Sequence, residues 1–145
     1  MAIFNSSMAY ERSCILASAL GAMQRQLETC VGHARERKQF GQAIGKFQVL
    51  QHRMVDMFIA QQQAQSAALM ANLKLGEADG ARAVSAAKAA VAKYAKQVGE
   101  SAIQIHGGIG MTDELNVGHY FKRLTLLEML YGSRDYHLRR MAGLS

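Results

Sequence analysis

The chain of 145 residues has no proline, no tryptophan and only two cysteines, and 7% of it is aromatic. Without proline nothing forces a kink or bars a long helix, and half of the residues are apolar, many of them alanine and methionine. Composition therefore predicts an all-α fold. Cys14 and Cys30 form no Cys-x-x-Cys or Cys/His pattern, so they read as small core residues in a reducing compartment and no disulfide is expected. His33, His52, His106, His119 and His137 have no metal-ligand spacing, so no metal is expected either. No apolar run approaches the roughly 18 residues of a spanning helix. The N-terminus lacks a basic stretch followed by an apolar one, so the expectation is a soluble, cytoplasmic protein that binds no membrane.

Acidic side chains are also scarce. Seventeen Lys and Arg against eleven Asp and Glu leave a formal net charge of +6, but the basic residues are spread over several segments, with denser groups at residues 35–38 and 134–140. Such groups suit a phosphate-rich cofactor better than nucleic acid. The length supports one domain with a substantial core.

Hydrophobic spacing fixes the elements. Leu16, Leu20, Met23, Leu27, Cys30 and Ala34 recur at threes and fours, predicting a first helix over about residues 9–35. Leu50, Met54, Met57, Gln61, Ala64, Ala68, Ala71 and Leu75 form a heptad-like seam on a second, over about residues 46–75. Two glycines and a possible Asp79 cap break the pattern at residues 76–80. Ala83, Ala87, Val91, Tyr94, Val98 and Ile105 then resume it. After a glycine turn, Thr112 or Asp113 can cap a short helix, and a last helix runs over about residues 122–141. Short connections favour antiparallel neighbours, which gives an up-and-down four-helix bundle with one extra short helix.

Two segments go beyond bundle building. In Gln104-Ile105-His106-Gly107-Gly108-Ile109-Gly110, glycines close the third helix and bare the backbone for close approach by a ligand; a helix C-cap is the simpler role, and His106 is expected to cap a backbone carbonyl. Upstream, Arg37-Lys38-Gln39-Phe40-Gly41 sets a guanidinium beside an aromatic ring and a glycine. That group can hold a phosphate while the ring packs on a flat heterocycle, or it can simply complement a helix dipole.

Taken together, Arg-x-x-Phe-Gly, the Phe47-Gln48 pair and Gln-x-His-Gly-Gly-x-Gly resemble the C-terminal helical domain of the acyl-CoA dehydrogenase flavoproteins. The run Gly-Met-Thr-Asp-Glu-Leu-x-Val-Gly-His-Tyr-Phe at residues 110–121 is similar to the small-subunit, pimeloyl-CoA dehydrogenase type. The resemblance implies FAD as cofactor, an acyl-CoA substrate dehydrogenated across its α,β bond, and an electron-transfer flavoprotein as electron acceptor. It also implies a homo-oligomer or a second dehydrogenase subunit. The family's N-terminal helical and middle β domains have no counterpart here, so the chain reads as a fragment or split subunit, with residues 1–8 a linker remnant and 9–145 the bundle domain.

Residue by residue, the resemblance gives Arg37, Gln39, Phe40, Gln48, Gln104, Gly107, Gly108 and Ser133 as cofactor-binding positions, most of them reaching a neighbouring subunit's FAD. Asp135 stands where the family often has Gln. The common catalytic Glu of a Tyr-Glu-Gly-Thr run is replaced, since Leu130-Tyr131-Gly132-Ser133 puts Tyr131 there, and a phenol titrating near 10 is a poor base. Members of the isovaleryl type carry the Glu on the domain's first helix within a Glu-Arg pair. Glu11-Arg12 occupies that place, so Glu11 is the expected catalytic base and Arg12 the expected substrate-side or orienting group. Alternatives are Glu128 as base, Glu11 as a first-turn acid only, a non-catalytic assembly subunit and a related flavin oxidase.

Overall fold

The computed structural model describes residues 2–111 and 115–143. Helices α1 (Ala2–Glu36), α2 (Gln48–Leu73), α3 (Gly80–His106) and α4 (Asn116–Met129) are long, and α5 (Arg134–Met141) is short. A two-residue antiparallel ladder, β1 (Lys38–Gln39) with β2 (Gln42–Ala43), and a 3-10 turn at Ile44–Lys46 join α1 to α2. A second 3-10 turn, Gly107–Met111, follows α3. The fold is all-α, as the composition predicts. Among the described residues no helix is long and apolar enough to cross a membrane.

α3 is the central element and packs against α1, α2, α4 and α5. Its buried face is built of small residues, Ala87, Ala92, Ala95, Gly99 and Ala102, which let neighbouring helices come close. At Gly99 a Cβ would stand 2.8 Å from the Phe121 ring of α4, so that crossing requires glycine. The predicted stripes meet in one core: Leu16, Met23, Leu27 and Cys30 of α1, Met57, Ala64, Ala68 and Ala71 of α2, and Ala87, Val91, Val98 and Ile105 of α3 are all buried.

Several expectations need correction. α1 begins at Ala2 rather than near residue 9, and Cys14 is exposed on it while only Cys30 is buried. Asp79 precedes α3 but makes no capping bond through its side chain; its carboxylate pairs with Lys74 Nζ instead. The predicted last helix is two. Tyr131 and Gly132 both adopt left-handed backbone, φ 57° and 108°, which ends α4, and Ser133 Oγ then starts α5 by accepting from Tyr136 N at 3.4 Å. The short helix is therefore the final one. The expected Thr112 or Asp113 cap lies outside the described residues.

Candidate functional site

The sequence-predicted residues gather at two poles. At the first pole, Glu11 is exposed on α1 while its neighbour Arg12 turns inward and is buried. Burial, then the charge of Arg140, lower the Arg12 pKa, against hydrogen bonding and charge from Tyr136 and the Glu11 carboxylate. Arg12 Nε has no hydrogen-bond partner. The Tyr131 phenol lies against Glu11, whose negative charge first and hydrogen bonding second push the phenol above its ordinary pKa. Tyr131 and Glu11 thus meet in space, although 120 positions separate them in sequence.

Two buried side chains, Lys88 and His137, build the turn that carries Tyr131. Lys88 of α3, 2% exposed, donates from Nζ to Leu127 O at 2.7 Å and Glu128 O at 2.9 Å. It satisfies carbonyls that the end of α4 leaves without helical partners and opposes that helix's negative pole. Burial brings its pKa down to about 8. His137, fully buried, donates from Nε2 to Tyr131 O at 3.1 Å. Desolvation, with Arg12 next, depresses its pKa to about 4. Gly132 is packed so closely that a Cβ would meet Tyr136 Cδ1 at 2.3 Å. Ser133, the expected cofactor contact here, uses its hydroxyl as the α5 cap. Asp135 sits in the first turn of α5, where an acid suits the helix dipole. Glu128 is half-buried and lines a cavity with Ala92, Lys96 and Leu124.

At the second pole the chain leaves α1 at Arg37, whose N–H donates to His33 O at 2.9 Å and whose carbonyl accepts from Ile44 N at 2.8 Å. Gln39 is the last residue of β1, and the two-residue turn Phe40-Gly41 has φ 52° and 78°. Paired positive φ values match the right-handed twist of a tight hairpin. The turn holds the Phe40 ring 91% exposed, edge-on to Phe47 with centroids 6.1 Å apart. Gln48 opens α2 and is exposed, as is Gln104 on α3. Gly107 closes α3 at φ 63°, and at Gly107 and Gly108 a Cβ would meet nothing within 4 Å. The His33 ring stacks on His106 at 4.4 Å, which ties the end of α1 to the glycine turn, so both motifs share one end of the bundle. His106 Nδ1 donates to Ala102 O at 2.8 Å, the carbonyl-capping role expected of it. Phe40 and Tyr131 are the only non-glycine residues of positive φ among those described, one at each pole.

Two groups escaped the sequence reading. Lys88 had a signal: it falls in phase with Val84, Val91 and Ala95 on an otherwise apolar stripe. His137 had none, because its partner is a backbone carbonyl.

The fold that carries an exposed aromatic beside Arg37 and a bare glycine turn at one pole, and a Glu-Arg pair under a broken helix at the other, has counterparts among known proteins. Residues 1–143 match the family model described as acyl-CoA dehydrogenase, C-terminal domain. The chain belongs to the acyl-CoA dehydrogenase family. It is 34% identical over 135 residues to an L-prolyl-[peptidyl-carrier protein] dehydrogenase of Serratia sp., covering 92% of this chain and 35% of that protein. It is 32% identical over 144 residues to the mitochondrial isovaleryl-CoA dehydrogenase of Oryza sativa subsp. japonica, covering 96% and 34%. A solved structure described as PigA with FAD and proline superposes with a TM-score of 0.89 at 32% identity, covering 99% of this chain and 38% of that one. The chain thus spans about a third of these relatives' length.

Proposed function

We propose that this acyl-CoA dehydrogenase domain works within an FAD-dependent enzyme that oxidises an acyl-CoA thioester across its α,β bond, with Glu11 as the base that takes the α proton. The observation that carries the reading is the meeting of Glu11 with Tyr131, because the two places where this family's chemistry calls for a carboxylate occupy one spot and only Glu11 supplies one. Arg12, buried beside it, gives the carboxylate a nearby positive charge.

FAD suits the second pole. Arg37 offers a forked cation to phosphate, Phe40 a free aromatic face, and Gly107 and Gly108 a backbone with room for close approach. Gln39, Gln48 and Gln104 are side-chain donors on the same end. Bound FAD would supply the two-electron acceptor for the oxidation, which an electron-transfer flavoprotein would then regenerate. From Glu11 to Glu36, α1 rises about 38 Å, so the two poles of one chain serve different cofactor molecules, and a complete site draws on two copies or on a second dehydrogenase subunit.

Glu11→Gln in the assembled, flavin-loaded enzyme tests the assignment. The amide is nearly isosteric and accepts no proton at neutral pH, so flavin content and acyl-CoA binding should persist while substrate-dependent flavin bleaching slows by at least about a hundredfold. Near-normal bleaching would reject Glu11 and move the role to Glu128 or to a partner.

A further inference from the structure

Tyr131 is a poor base, yet the chain expends unusual local structure on placing it. An aromatic residue in left-handed backbone, φ 57° at Tyr131, is strained and persists only where surroundings enforce it. Here they do. Lys88 pins the last carbonyls of α4 ahead of the turn, His137 holds the Tyr131 carbonyl at 3.1 Å, and Gly132 lets the backbone pass beneath the Tyr136 ring. The phenol that results is 42% exposed and lies against the Glu11 carboxylate. Arg12, beside Glu11, also feels Arg140 and Tyr136 of α5, and Lys88 feels Glu128 and Arg12.

Resting on the reading of Glu11 as base, we propose that Tyr131 is a positioning residue: its hydroxyl, delivered by this pinned left-handed turn, donates to the Glu11 carboxylate and holds the base in one orientation for the α proton. Glu11 is otherwise an exposed side chain, and a reacting group must be held within a narrow geometry to act efficiently.

The test uses Tyr131→Phe in the assembled, flavin-loaded enzyme, with the flavin content confirming that it folds. We expect kcat for flavin reduction to fall about tenfold with KM little changed, the size of losing one hydrogen bond to a charged group. A second measurement needs no turnover: the tyrosinate absorbance titration of Tyr131, isolated as the difference from Tyr131→Phe, should move down toward the ordinary value near 10 in Glu11→Gln. Wild-type kcat in Tyr131→Phe, or an unmoved phenol titration, overturns the proposal. If Glu11→Gln is inactive while Tyr131→Phe is unaltered, only the positioning role fails. If Glu11→Gln stays active while the phenol titration moves, the base assignment is what fails.

Discussion

His137 makes the bundle sensitive to acid in a window that its geometry defines. The ring is fully buried and its Nε2 faces the Tyr131 carbonyl, which can only accept, so the proton of the neutral ring is on Nε2 and Nδ1 is bare. Nδ1 has no partner. A second proton would sit on that atom, out of water, with Arg12, Lys88 and Arg140 all repelling it. The folded ring therefore resists protonation down to about pH 4, whereas an unfolded histidine takes its proton near 6.5. Between those values the unfolded chain binds more protons than the folded one, so stability rises with pH across the window and is lost as pH falls through it. The gap corresponds to up to about 3 kcal/mol, a large share of the stability of a small domain.

The matching perturbation is His137→Gln, whose amide can donate to the same carbonyl and does not titrate. Urea unfolding followed by circular dichroism, from about pH 7 to about pH 4 at fixed protein concentration, should show the wild type losing about 3 kcal/mol more than the variant. Carboxylates and the half-buried His33, whose pKa burial also lowers, contribute equally to both proteins and cancel. Parallel stability curves for the two would refute the reasoning.

The core was legible in the sequence because burial imposes a period. Met57, Gln61, Ala64, Ala68 and Ala71 keep their predicted seam, and all five are buried. The Phe40-Gly41 connection and the turn after α3 were legible as chain reversals because Phe40 and Gly107 are local backbone events written in Phe-Gly and Gly-Gly. The break at Leu130-Tyr131-Gly132-Ser133 was missed since a single glycine in an otherwise helical pattern need not end a helix, and what ends it is tertiary: Lys88 and His137 reach the turn from α3 and α5. The apposition of Glu11 and Tyr131 was equally beyond local pattern, as it depends on α5 folding back against α3. Cys14 was misread because helical membership says nothing about which face a residue takes.

Gly132→Ala should destabilise the domain by about 3 kcal/mol, combining left-handed strain with overpacking, since its Cβ would lie 2.3 Å from Tyr136 Cδ1; a urea midpoint equal to that of Gly107→Ala, which has φ 63° but open space, would contradict this. The outer face of α2 presents Phe58, Ile59, Leu69, Met70 and Leu73, each 46% to 71% exposed, on the side opposite its buried seam. They form two apolar groups on either side of the exposed Gln62, Gln63, Gln65 and Ser66, and covering such side chains is worth about 1.5 kcal/mol or more apiece. The chain should therefore self-associate, and Ile59→Lys with Leu69→Lys should shift it toward monomer by light scattering while leaving its helical circular dichroism unchanged, because neither residue belongs to the core. A wild-type chain that scatters as a monomer at tens of micromolar, roughly the range of weak interfaces, would mean that this face meets a different protein or none.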